Sequence, residues 1–307
     1  MTAITVNDLP EMEDSSTPEA APITKRNTVQ IEVAKPPIDA SKPSSATENA
    51  AALRAFFRAV LPPMFGLFLL IGVWHLATSK GGSIPSPAKT WEAAKILFAH
   101  PFYSNGPNDQ GIGWNILSSL QRVAIGFGFA ALVGIPAGFL LGRFALLASI
   151  VNPLISLLRP VSPLAWLPIG LLVFKRADPA ATWTIFICSI WPMIMNTAQG
   201  VQRVPQDYLN VARVLNLSEW KIVTKILFPS VLPYMLTGIR LSIGTAWLVI
   251  VAAEMLTGGV GIGFWIWDEW NNLKVEHIII AIFVIGIVGL LLEQMLLLLA
   301  KRLHTEG

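Results

Sequence analysis

Gln206 to Pro229 (QDYLNVARVLNLSEWKIVTKILFP) is a long polar stretch set between apolar runs. A polar helix-break-helix between two membrane spans must sit in water, where a partner can grip it. Six apolar runs frame it: Val60 to Ala77, Leu117 to Leu141, a third within Ala145 to Phe174, Trp183 to Ala198, Val231 to Leu256, and Ile278 to Ala300. At roughly 1.5 Å per residue, such runs can cross a ~30 Å hydrocarbon layer. The expected fold is an all-α membrane protein with six transmembrane helices.

Composition agrees. Of 307 residues, 53% are hydrophobic and 13% charged, which suits a multi-span protein better than a soluble domain. The net charge of +3 is too small to suggest nucleic acid. The single cysteine, Cys188, lies in an apolar run and excludes a disulfide framework or cysteine metal site. The opening residues lack a basic region followed by an apolar run. No secretory signal peptide is expected, and the first span directs insertion.

Residues 1–50 carry eight acids and four bases with few large apolar side chains, and read as a disordered cytoplasmic tail. Residues 51–307 are expected to form the transmembrane domain. Between the first two spans, Pro85-Ser86-Pro87 precedes TWEAAKILFAH, an amphipathic segment expected to lie along the membrane surface. In the second span Gly134, Gly138 and Gly142 recur every fourth residue. That spacing lets helix backbones approach closely where lipid offers no hydrophobic drive for association. The third span is broken by Pro153, Pro160, Pro163 and Pro168 around Arg159. A broken helix with a charge at depth must line a cavity or pack inside protein.

In the polar stretch, Pro205 starts a short helix, Asn216-Leu217-Ser218 breaks it, Ser218 caps a second, and Pro229 ends that one. Trp265, Trp267 and Trp270 form an interfacial belt. With both termini cytoplasmic, the short flanks on that side hold nine bases and the opposite loops six, in the positive-inside sense. The polar helix pair is then cytoplasmic.

No G-x-x-x-x-G-K-[ST], HExxH or paired-cysteine motif occurs, and the four histidines are scattered. GGVGIG at 258–263 follows a span rather than a strand, so it is not read as a nucleotide loop.

NVARVLNLSEWKIVTKILFP resembles the coupling motif of ABC-transporter permeases, E-A-A, then Gly, then I-x-L-P. Ala212 matches the third position, and Ile226, Phe228 and Pro229 match the end loosely. Asn210 and Val211 replace Glu-Ala, and Asn216 replaces the glycine; Asn tolerates left-handed backbone geometry and can still make the turn. IPSPAKTWEA, SLQRVAIGFGFAALVGIPAGFLLGR, NPLISLLRPVSPLAWLPIGLLVF and GIRLSIGTAWLVIVAAEML extend the likeness to the nitrate/sulfonate/taurine group. HPFYSNGPNDQGIGWNIL resembles the cyanobacterial nitrate and bicarbonate branch.

The resemblance implies a type I importer permease (MetI-like) fold in the plasma membrane. It implies a second permease copy, two cytoplasmic ABC ATPases holding ATP and Mg, and an extracytoplasmic substrate-binding protein. No cofactor is expected in this chain. Asn210, Val211, Ala212, Arg213, Asn216, Leu217 and Ser218, within 206–228, would contact the ATPase, so a charge at Ala212 or Leu217 should uncouple it. Arg159 and Arg240 are candidates to offer positive charge to an anion, or else pair internally or snorkel. Trp166, Met195 and Asn196 line the pathway or pack. Glu254 belongs to the same set, or is structural and pairs across the dimer. The expected cargo is nitrate or nitrite, then bicarbonate, then an organosulfonate. A stand-alone secondary transporter would favour repeated halves, which are not found, and a membrane enzyme is the weakest alternative.

Overall fold

The computed structural model describes residues 45–107 and 109–305. The tail expected over residues 1–50 lies outside them except for its last six residues, which are helical and belong to α1 (Ser45–Thr78). The chain divides into two compact units, Met1–Pro63 and Met64–Gly307. The first contains, among described residues, only the opening part of α1. The second contains everything below.

Among its described residues the regular structure of the second unit is helical, joined by turns and loops, apart from an isolated bridge between Ser104 and Gln110. Its helices are α2 (Pro87–Ala99), α3 (Ile112–Arg143), α4 (Ala145–Leu158), α5 (Pro163–Phe174), α6 (Ala177–Gln202), α7 (Gln206–Val214), α8 (Glu219–Ile222), α9 (Phe228–Thr257), α10 (Ile262–Asn271) and α11 (Val275–Thr305). Four stretches are long and apolar enough to cross a membrane: Val60–Thr78, Ile112–Arg143, Glu219–Thr257 and Val275–Leu298. The α4–α5 pair makes a fifth, bent by 100° at Arg159–Ser162. The 26-residue α6 has the length to be the sixth. Its Thr, Ser, Asn and Gln side chains lower its mean hydropathy, and Thr184, Ser189 and Thr197 among them are buried inside the protein.

The core is built on α6, between α3 and α9. The α3 glycines explain the closeness. A Cβ on Gly134 would lie 3.1 Å from Met193, on Gly138 2.6 Å from Thr197, and on Gly142 2.5 Å from Val201. The pairings advance in step along both chains, so α3 and α6 run parallel with their backbones nearly touching. Gly138→Ala is expected to cost about 1–3 kcal/mol through overpacking against Thr197 and the Ile194 carbonyl. A thermal unfolding scan of the purified variant checks this. On the other side of α6, Ser242 Oγ donates to the Ser189 carbonyl at 2.6 Å, satisfying buried polar groups across the α6–α9 contact.

The amphipathic segment is α2. Ser86 caps it by accepting from the Lys89 N–H at 3.5 Å, with Pro87 at its first turn. It rests on α11, with Ala94 and Leu97 packed on the core and Trp91 and Ile96 exposed.

Pro229 does not end a helix. Residues Val223–Leu227 form one π-helical turn that leads α8 directly into α9, where Pro229 occupies the first turn. Proline lacks the N–H that would bond four residues back, and the wider turn absorbs that loss. The apolar helix of the fifth span is therefore continuous from Glu219, with no break before Val231, and its first turns extend beyond the length that a bilayer needs.

Candidate functional site

The polar helix-break-helix forms as a tight corner. Asn216 has φ of 47°, in the left-handed region. The Leu217 N–H donates to the Ala212 carbonyl at 3.0 Å, and the Asn216 N–H to the Arg213 carbonyl at 3.0 Å. Those two bonds complete a Schellman motif, the usual glycine position being taken by asparagine. Pro205 is the N-cap of α7 rather than its first residue, and Ser218 is the N-cap of α8, without a side-chain cap bond.

The helix has two unlike faces. Leu209 and Ala212 are buried and join Ile222, Leu227, Val231 and Met235 in a local core. Tyr208, Val211 and Val214 point outward, with Val214 81% exposed. Ala212 is thus sealed inside its own subunit and is not available for direct contact. Leu217 is partly buried against the same core. Asn210, Arg213 and Ser218 are exposed.

The α4–α5 corner brings Arg159 beside α6, where its guanidinium approaches the Met195 sulfur at 3.4 Å. That residue has no carboxylate partner among the described residues. Trp166 packs edge-on against Trp183, with centroids 5.9 Å apart. Asn196 donates to the Pro192 carbonyl at 2.8 Å. Arg240 pairs with Glu293 of α11. The structure does not gather these residues at one point: Arg159 and Met195 meet, while Arg240 and Glu254 lie elsewhere.

Glu254 is 1% exposed and pairs within its own chain, contrary to the expected pairing across a dimer. Its carboxylate accepts from Ser119 Oγ at 2.8 Å, from Arg122 at 2.7 Å and from the Gly263 N–H at 3.0 Å. Arg122 also donates to the Val260 carbonyl at 2.7 Å and to Asp178 at 2.7 Å. Asn115 Oδ1 accepts from the Gly261 N–H at 2.9 Å, and Ser119 Oγ from the Ile262 N–H at 3.0 Å. The GGVGIG loop is therefore a fitted strap that starts α10 over a buried carboxylate. A Cβ on Gly261 would lie 2.3 Å from the Glu254 carboxyl carbon, and one on Gly263 2.1 Å from the Val251 carbonyl. The sequence reading missed this network. Its signal was Asn115, Ser119 and Arg122, polar residues on one face of an apolar helix.

At the far end of α10, Glu269 is buried beside His277 Nδ1 at 3.0 Å and Lys274 Nζ at 3.5 Å. The histidine contact has ion-pair distance without hydrogen-bond alignment. Burial pushes the Glu269 carboxyl up, but His277 and then Lys274 outweigh it and hold it below the ordinary carboxylate value. A depressed folded-state value makes Glu269 stabilising above the unfolded range, near pH ~4.3, and that contribution is lost as pH falls through the folded value. Glu269→Gln should flatten the acid limb of a thermal-midpoint profile, leaving the fall below about pH 4 shallower than in the wild type.

The profile of the binding-protein-dependent transport system inner membrane component matches residues 134–305, more than half of the chain. The chain belongs to that family. Among curated relatives, the nitrate import permease NrtB of Synechocystis is 48% identical over 236 residues, covering 76% of this chain and 86% of that one. NrtB of Leptolyngbya laminosa is 46% identical over 249 residues, 81% and 89% of the two chains. The bicarbonate transport permease CmpB of Synechocystis is 46% identical over 246 residues, 79% and 88%. The protein is a multi-pass membrane component of a transport system, as its helices require. The family match begins inside α3. This inner-membrane component therefore carries Glu254, Asp178 and the strap within the matched region, and Asn115, Ser119 and Arg122 before it.

Proposed function

We propose that this chain is the membrane-spanning subunit of an ATP-driven importer of nitrate or nitrite, working by alternating access. The observation that carries the reading is the likeness, over most of both chains, to permeases named for nitrate import. In this reading two copies pair, with both termini cytoplasmic. Two cytoplasmic ABC ATPases, with ATP and Mg, grip the α7 corner, and an extracytoplasmic binding protein delivers the anion.

The exposed face of α7 supports the docking step. Tyr208, Val211 and Val214 present apolar area to water at the tip of a rigid corner, which suits a partner groove. Val211 then makes direct contact, Asn210 and Ser218 form its polar rim, Arg213 turns to the other side of the helix, and Ala212, Asn216 and Leu217 hold the corner's shape. Closure of the ATPases would push α7, and the π turn would pass the movement into α9. Arg159 is the better anion-attracting candidate, because its charge is not offset by a carboxylate, whereas Arg240 is neutralised by Glu293. Met195 shares its corner, Trp166 and Asn196 shape the wall, and Glu254 supports the fold.

Bicarbonate is the second reading, favoured by the 46% likeness to CmpB. Vesicles holding the whole complex, offered labelled nitrate and bicarbonate separately, decide between them. Uptake of nitrate that unlabelled bicarbonate fails to displace supports the first reading. Uptake of neither anion ends both.

A further inference from the structure

A half-open cavity of about 420 Å³ lies behind α7, bordered by the end of α3, the start of α4, the end of α6 and the π turn. Its polar lining is Arg143, Gln202, Gln206 and Arg213, over apolar walls that include Leu209 and Leu227. Gln206, Leu209 and Arg213 follow the spacing of one helical face, so one side of α7 turns to the cavity while Tyr208, Val211 and Val214 face away. No carboxylate lines it.

The charges there are incompletely answered. Arg143 donates to Glu219 at 3.0 and 3.3 Å, but that carboxylate is 64% exposed and shared with water. Arg213 bonds only the neutral Asn210 Oδ1, at 3.3 Å, and has no carboxylate partner among the described residues. Asp207 next to the cavity is exposed and does not line it. The Arg213 guanidinium, the Nη1 side of Arg143 that Glu219 leaves free, and two amides line the hollow with no acid among them, and match the planar or tetrahedral oxygens of an oxyanion.

We propose that this cavity is an oxyanion-binding site that ties α7 to the ends of α3 and α6. The ligand is either a free inorganic oxyanion or the phosphate of an anionic lipid, whose chain the apolar walls would accept. The site stands on this geometry and does not depend on which anion the pathway carries. An anion bound there bridges Arg213 on α7 to Arg143 on α3, and so stiffens the corner from behind.

The test uses the intact transporter complex in nanodiscs of zwitterionic phosphatidylcholine, titrated at constant ionic strength with nitrate and with inorganic phosphate. A second arm uses discs containing phosphatidylglycerol, with retained lipid counted by native mass spectrometry. The expected result is a saturable rise in thermal midpoint, or retained phosphatidylglycerol, together with slower hydrogen exchange in α7. Arg213→Gln should weaken binding by about tenfold or more, the size of one charge-assisted hydrogen bond. Gln206→Glu, which places a like charge beside the anion, should abolish it, and Arg213→Lys should restore part. Both Gln206 and Arg213 are exposed, so these variants keep the fold. A response to free anion assigns the first source, and retention of phosphatidylglycerol the second. The proposal is overturned if neither ligand binds, or if binding is unchanged in Arg213→Gln and Gln206→Glu.

Discussion

Replacing Glu254 with alanine is expected to lower the stability of the folded subunit by about 3–5 kcal/mol, the cost of stranding a buried charge. The carboxylate is almost fully enclosed and answers three donors. Its removal leaves the Gly263 N–H unpaired at the start of α10 and leaves Arg122, 16% exposed, with only Asp178 as counter-charge. Asp178 is 63% exposed, so Asp178→Asn should cost under about 1 kcal/mol in spite of an equally short bond. Chemical unfolding in detergent measures both. If the two variants lost similar stability, burial would not be what gives Glu254 its weight. Replacing Arg122 and Glu254 together with apolar residues should cost less than the separate losses combined, because neither charge is then abandoned.

Introducing aspartate at Val214 is expected to reduce ATP-driven uptake by more than about tenfold while the thermal midpoint stays near the wild-type value. Val214 is the most exposed apolar residue on α7, and a charge there must be desolvated against an apolar groove whenever the partner docks. ATP hydrolysis without matching transport is the signature to measure. Ala212→Asp should behave differently. Ala212 is 0% exposed, so the charge enters the local core under α7 and the thermal midpoint falls. If Val214→Asp transported normally, the outward face of α7 would not be the docking face.

The parts of this structure that were legible in the sequence are those with few physical alternatives. In lipid, glycines at four-residue spacing have one common use, and Gly134, Gly138 and Gly142 serve it against α6. The turn at Asn216 was legible because asparagine is among the few residues that tolerate its backbone angle. Pro229 misled because proline stops a helix from inside but is harmless in a first turn, and only the π turn before it distinguishes the two. The Glu254 network was only half legible: Asn115, Ser119 and Arg122 mark a polar face on α3, but Glu254 on α9, Asp178 on α6 and the strap are too distant in sequence to show as what that face meets. The expected pathway residues scattered for the same reason. Arg240 reads as a lone charge at depth until α11 brings Glu293 alongside it.

The central claim is that the corner formed by α7 and α8 stands in the cytoplasm and is seized by an ATPase. A single cysteine at Val214 tests it, since the native Cys188 is buried within α6. Sealed vesicles holding the complex would be treated with a membrane-impermeant maleimide from each side, with and without the ATPase subunits. The account predicts labelling from the cytoplasmic side only, and strong protection when the ATPases are bound. Labelling from the opposite side, or labelling that the ATPases leave unchanged, would contradict it.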